Sequence, residues 1–228
     1  MEPLSKKIRV IVTGATGMVG EGVMHECLQH PDVEAVLVIN RRPDGVVHPK
    51  LKEIVHENFF DLSPIEDQLK GYNACYFCLG VTSIGKKEPE YYNLTHTLTM
   101  HVAETLVKHN PDMVFVYVSG SGTDSTEKGS TMWARVKGKT ENDLMKLPFK
   151  DVYAFRPGFM KPIEGLKHVQ KGYTYLGWLL YPIFKVFLPN GIGTLRDTAL
   201  AMIYVTLYGS TNKIVTPNDM KVMAKSVS

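Results

Sequence analysis

Gly14, Gly17 and Gly20 are spaced to cradle a phosphate. They lie in Val10-Ile11-Val12-Thr13-Gly14-Ala15-Thr16-Gly17-Met18-Val19-Gly20, an apolar β-branched run that turns through glycine into a helix start. In that context the backbone N–H groups around Thr16, Gly17, Met18 and Val19 face a pyrophosphate at the positive end of a helix. Gly14 permits the tight turn, Gly17 lets the phosphates approach the backbone, and Gly20 lets the helix pack on the strand. The alternative is a purely structural glycine loop. Arg41 and Arg42 follow the second apolar run. A guanidinium pairs with phosphate in a fork and stacks on adenine. An acidic residue at this place binds the ribose 2′-OH of NAD, whereas an Arg accommodates the 2′-phosphate of NADP. Paired arginines also occur on solvated strand edges. Behind a glycine loop they favour NADP(H) as the cofactor.

The elements that must position these groups alternate between strand and helix. Strands are expected over residues 8–12, 35–40, 54–60, 74–79, 113–118 and 152–155. Helices are expected over 19–30, 90–109 and 132–147. A short helix should open at Ser63-Pro64, with Ser63 as N-cap and Pro64 at the first helical position. The 90–109 helix carries Leu94, Leu98, Val102 and Leu106 every four residues. Strands separated by helices predict parallel βαβ units, an α/β class and a Rossmann-like doubly wound sheet. Ligands of such sheets bind at the carboxyl ends of the strands. The whole chain, 1–228, reads as one domain, with residues 163–195 forming a small C-terminal substrate or lid lobe. Residues 173–188 are apolar and aromatic, and are either part of that lobe or an exposed patch for a partner or a membrane surface. A further helix is expected at 195–208 and a short strand at 214–216.

With 228 residues the chain is long enough for one sizeable core, and its net charge of +3 is too small to suggest nucleic acid. The first seven residues are polar, and no apolar run reaches the ~20 residues of a membrane span. A cytoplasmic location is the resulting expectation. Cys75 and Cys78 form a Cys-x-x-Cys within a strand, so they point to opposite faces and suit a buried pair rather than a redox or metal clip. His25-Glu26 and His30 miss the His-Glu-x-x-His zinc spacing by one residue, as do His96 and His101, so no metal site is expected.

The chain also resembles an atypical short-chain dehydrogenase/reductase, in the branch of NAD(P)H-binding NmrA-like regulators and the Tat-interacting oxidoreductase. The resemblance runs from about residue 6 to 162. It is carried by the glycine loop, Arg41, Phe60-Asp61-Leu62, Leu79-Gly80, Asn93, Val136-Lys137-Gly138 and Arg156-Pro157-Gly158. It implies that Asp61 contacts the adenine amino group with Leu62 beside it, and that Leu79-Gly80 passes the adenine ribose. Pro157 and Gly158 would line the nicotinamide end.

The family's catalytic Tyr-x-x-x-Lys is broken here. Its lysine matches Lys137, and the four-residue spacing puts Trp133 where the tyrosine belongs. An indole N–H donates a hydrogen bond but does not exchange a proton near neutral pH. The general acid lost at that position is ordinarily worth ~10²–10⁴-fold. The family serine falls near Gly120, with Ser119 and Ser121 on either side; in an extended segment those two share a face, and one could serve. Asn93 matches the family asparagine. A second Tyr-x-x-x-Lys, Tyr181 to Lys185, is in the wrong place and contains Pro182. Two functions remain. One is an NADP-dependent oxidoreductase acting on an unknown small molecule with altered proton chemistry. The other is a non-catalytic protein that senses NAD(P)H.

Overall fold

A computed structural model describes residues 7–161, 163, 165–168 and 192–227. Seven strands form one parallel sheet. They are β1 (Ile8–Thr13), β2 (Val33–Asn40), β3 (Leu51–Val55), β4 (Ala74–Phe77), β5 (Val114–Val118), β6 (Asp151–Phe155) and β9 (Ile214–Val215). Their order is β3-β2-β1-β4-β5-β6-β9, and every pairing is parallel. The order reverses between β1 and β4, and this switch point opens the crevice in which such sheets bind ligands. Two further short strands, β7 (Phe159–Lys161) and β8 (Ile192–Thr194), pair with each other.

The strands are apolar along their length because both faces are covered. On one face, Val10, Val12, Tyr76 and Val116 meet α1 (Met18–Gln29) and α5 (Leu195–Tyr208), with α6 (Pro217–Ala224) alongside. On the other, Ile11, Cys75, Phe77 and Phe115 meet α3 (Leu98–His109) and Leu144 of α4 (Met132–Leu144). Cys75 and Cys78 join different faces, as the strand spacing requires. Desolvation raises the Cys75 thiol pKa and pushes that of Cys78 up to about 12, so neither is poised as a thiolate.

Three expectations need correction. The third strand is Leu51–Val55 rather than 54–60. Pairing with β2 stops as His56 turns the chain, its Nε2 lying 2.8 Å from Asn58 O and 2.7 Å from Asp61 O. Phe59 then reaches the core from that turn and not from a strand. The short helix is a 3₁₀ segment (Ser63–Leu69) with Leu62 at the N-cap and Pro64 at the second position. The local capping acceptor is Asp61, whose carboxylate receives Ser63 N at 3.0 Å and Ser63 Oγ at 2.7 Å. The 90–109 helix starts earlier, as α2 (Glu88–Tyr92), and passes through a π turn (Asn93–Thr97) before α3. The proposed 173–188 surface, the second Tyr-x-x-x-Lys and most of the 163–195 lobe lie outside the described residues. Among the described residues no helix is long and apolar enough to cross a membrane.

Candidate active site

The glycine cradle is built by exclusion of side chains. Gly14 has φ +72°, and a Cβ on it would lie 2.8 Å from Leu79 N and 2.9 Å from Cys78 C. The β1 turn therefore runs directly against the end of β4. A Cβ on Gly20 would meet Gly14 O at 2.2 Å, so α1 seats on the turn only because Gly20 has no side chain. Gly17 differs. Its nearest obstacle would be Gly14 O at 3.4 Å, and it is exposed at the N-cap of α1 with no side-chain cap. Thr16 is exposed and Met18 and Val19 half-buried. The first-turn N–H groups of α1 are thus open to an anion.

At the end of β2, Arg41 and Arg42 are exposed and have no partner among the described residues. Nearby, the buried Thr13 Oγ1 and Asn40 Oδ1 lack a hydrogen-bond partner in the structure. Asp61 is exposed, and its hydrogen bonds from Ser63 hold its carboxyl below the usual carboxylate range. Leu62 turns its side chain into the core. Leu79 packs at the edge of the same core, while the space above Gly80 is open. Open N–H groups, unpartnered guanidinia and orphaned polar atoms fit a phosphate-bearing dinucleotide.

The other half of the crevice is formed by β5, α4 and the turn after β6. Lys137 Nζ donates to Ser119 O at 3.1 Å and to Val118 O at 3.4 Å, and lies 5.4 Å from the Tyr117 ring centroid. Desolvation pushes its pKa down to about 8, opposed by the negative charge of Glu141 one turn along. The sign for stability follows. Below pH 8 the full penalty for burying the ammonium is present. Between pH 8 and the ordinary lysine value of 10.5 the unfolded chain holds a proton that the folded chain has released, so stability rises with pH. In Lys137→Met that rise should flatten, which urea midpoints measured across the window would show.

Ser119 is buried, and its Oγ lies 2.8 Å from Thr123 Oγ1. Ser121 is exposed, and its N–H donates to Pro157 O at 2.9 Å, tying the loop after β5 to Pro157-Gly158. Trp133 is half-buried on the first turn of α4, with the outer edge of its benzo ring over Gly120 and Gly122. Asn93 is exposed at the start of the π turn, its carbonyl accepting from Leu98 N. Arg41, Gly80, Ser119 and Pro157 thus lie past the carboxyl ends of β2, β4, β5 and β6, and Lys137 and Trp133 reach the loop after β5, whereas no side-chain hydrogen bond among the described residues ties Asn93 to them. Of the anticipated residues, the Leu62 side chain and the engaged Ser119 hydroxyl face away from an open role.

Sequence reasoning passed over two buried carboxylates. Glu141 is 1% exposed and chelates Arg156, with Oε1 3.0 Å from Nε and Oε2 2.5 Å from an Nη that also meets Ser125 Oγ at 2.5 Å. Its place one turn after Lys137 was the available signal, since i and i+4 share a helix face. Glu21, also 1% exposed, accepts from Lys167 N at 2.6 Å and His168 N at 2.8 Å, and so holds residues 167–168 beside α1. No sequence spacing pointed to it.

A family model described as "NAD dependent epimerase/dehydratase family" matches residues 10–140. A relative from Aspergillus terreus, "Protein fmp52-1, mitochondrial", is 27% identical over 178 residues, covering 72% of this chain and 75% of that one. The chain spans about two thirds to three quarters of the length of the curated relatives it matches. Among solved structures, a UDP-N-acetylglucosamine 4-epimerase from Methanobrevibacter ruminantium superposes with a TM-score of 0.64 at 16% identity, covering 95% of this chain and 81% of that one. The Bordetella bronchiseptica enzyme WbmF in complex with NAD+ gives 0.63 at 16% identity, covering 96% and 78%. These likenesses carry the fold. The expected cytoplasmic location is overturned by the fungal relatives, whose names place them in the mitochondrion. A polar start and modest charge do not discriminate between compartments. The matched stretch contains both the glycine cradle and Lys137, and the chain belongs to the NAD dependent epimerase/dehydratase family as an atypical short-chain dehydrogenase/reductase.

Proposed function

We propose that this protein is an NADP(H)-dependent oxidoreductase acting on a small molecule, and that it works in mitochondria like the fungal proteins it resembles. The observation that carries the activity is Lys137. A lysine held half-buried at the end of β5, with its pKa pushed down to about 8, destabilises the empty fold and suits a ribose-holding role in the crevice. When bound, the dinucleotide supplies hydride chemistry. The chain supplies position. The α1 N-terminus holds the pyrophosphate, Lys137 the nicotinamide ribose, and Pro157 with Gly158 the wall behind the ring. Asp61 and Gly80 border the adenosine.

Arg41, with Arg42 beside it, sets the preference for NADP(H). A charge-assisted hydrogen bond is worth about 1.5–3 kcal/mol, or tenfold and more in affinity. Arg41→Ala should therefore weaken NADPH at least tenfold in calorimetric titration and leave NADH nearly unchanged. Equal loss for both would remove the 2′-phosphate role. A second function, sensing NAD(P)H without turnover, is favoured by Trp133 in the tyrosine position and by the engaged hydroxyl of Ser119. It requires different affinities for the reduced and oxidised forms. Steady turnover of any acceptor excludes it.

A further inference from the structure

Trp133 does not simply leave the tyrosine position blank. It sits one turn before Lys137, on the same face of α4. Its ring lies over the glycines of the loop after β5: a Cβ on Gly122 would lie 3.5 Å from Cη2, and one on Gly120 would lie 4.0 Å from Cζ3. The indole Nε1–H has no hydrogen-bond partner among the described residues, and it is not among the buried polar atoms. An accessible donor therefore stands on the face of α4 that carries Lys137. It can donate a hydrogen bond, but it cannot give up its proton.

Two neighbouring groups are already engaged. The Ser119 hydroxyl is engaged with Thr123, and Lys137 Nζ points to two backbone carbonyls. An indole donor can stabilise an oxyanion there but cannot itself neutralise one. We propose that Trp133 Nε1–H donates to the substrate carbonyl oxygen, restricting this oxidoreductase to conjugated carbonyls, above all quinones, whose reduced oxyanion is stable without a proton.

The inference rests on the oxidoreductase function argued above. The balance is simple. The C–H bond of the reduced nicotinamide breaks, its hydrogen passes with both electrons to one quinone oxygen to form an O–H bond, and the charge moves through the ring to the other oxygen, the one that accepts from Trp133, giving the hydroquinone monoanion. NADP+ is left behind, and water then supplies the single proton that completes the hydroquinone. A phenolic hydroxyl has a pKa of about 10, so its anion forms readily and is protonated after leaving. A simple ketone would instead give an alkoxide, a far stronger base that needs its proton during hydride transfer.

Two readouts test this on the full-length protein. The first uses 4-nitrophenol, whose ionised form is coloured, as an analogue of the product anion. Its binding is followed by absorbance with and without NADP+. Trp133→Phe keeps the aromatic body and deletes the donor, and should bind the anion at least tenfold more weakly with its NADPH affinity unchanged. The second compares NADPH-dependent reduction of 1,4-naphthoquinone and cyclohexanone. The wild-type protein should reduce only the quinone, and Trp133→Phe should lose about 100-fold in kcat/KM. Trp133→Tyr, which restores an acid, should gain cyclohexanone reduction. Unchanged anion binding and quinone turnover in Trp133→Phe would overturn the proposal, as would equal wild-type rates on both substrates. Failure of NADPH to bind the wild-type protein would overturn the oxidoreductase function itself.

Discussion

Gly20→Ala is expected to abolish NADPH binding and to lower the melting temperature sharply. The added methyl would lie 2.2 Å from Gly14 O and 2.5 Å from Gly14 C, both backbone atoms that cannot swing away. Either α1 lifts from the β1 turn or the turn itself shifts. Overpacking against flexible side chains costs about 1–3 kcal/mol, and a backbone obstacle belongs at the top of that range or beyond it. The same movement would misdirect the N–H groups at the α1 N-terminus. Gly17→Ala is the matched control, because its methyl meets only Gly14 O at 3.4 Å. That variant should keep its melting temperature and still lose dinucleotide affinity, since the methyl stands where phosphate approaches. Thermal melts with parallel NADPH titrations separate the two effects. A Gly20→Ala protein that binds NADPH normally would mean that α1 has a second way to seat.

Arg156→Ala should be the most destabilising change outside the glycine turn. Glu141 is 1% exposed, and Arg156 is its bidentate partner. Removing the guanidinium leaves a buried carboxylate without its counter-charge, which typically costs about 3–5 kcal/mol. It also removes the guanidinium bond to Ser125 Oγ, in the loop that carries Ser119 and Gly122. Replacing both partners by apolar residues of similar size, Glu141→Leu with Arg156→Met, should recover much of the loss because no charge then stays buried. Urea midpoints of the single and double variants measure this directly. A double variant no more stable than Arg156→Ala would show that the pair's geometry, and not its charge balance, holds the segment.

The parts of the fold that could be read in advance share one property. In β1, β2, β4 and β5 the strand is buried on both faces, so the signal is a run of Val, Ile, Tyr and Phe whichever way the side chains point. β3 lies at the sheet edge and buries only Ile54 fully, so its Leu-Lys-Glu-Ile-Val gives a weak pattern. Phe59 and Phe60 drew the prediction toward the turn beyond it. The π turn was illegible because one extra residue in a helix leaves no mark on residue types. At the site, glycine spacing predicted contact between backbones, since only glycine tolerates it. The position of Trp133 over Gly120 and Gly122 depends on a loop path with no periodicity, and the pairing of Glu141 with Arg156 joins elements 15 residues apart in sequence. Such contacts belong to the tertiary structure alone.

The seat of α1 has a consequence for the order in which the protein is assembled. A Cβ on Gly22 would lie 2.3 Å from a methyl carbon of Leu195, so the helix that opens the cofactor cradle is pressed against the first turn of α5. Val23, Met24 and Cys27 share their core with Ala199, Met202 and Ile203. The ribosome delivers the glycine turn well before the wall that supports it. Until then one face of the emerging sheet is covered by α3 and α4, and the other by α1 alone. Nascent chains halted before α5 are thus a natural target for holding chaperones, and the ability to grip a dinucleotide has to wait for α5, although the residues that do the gripping emerge before it.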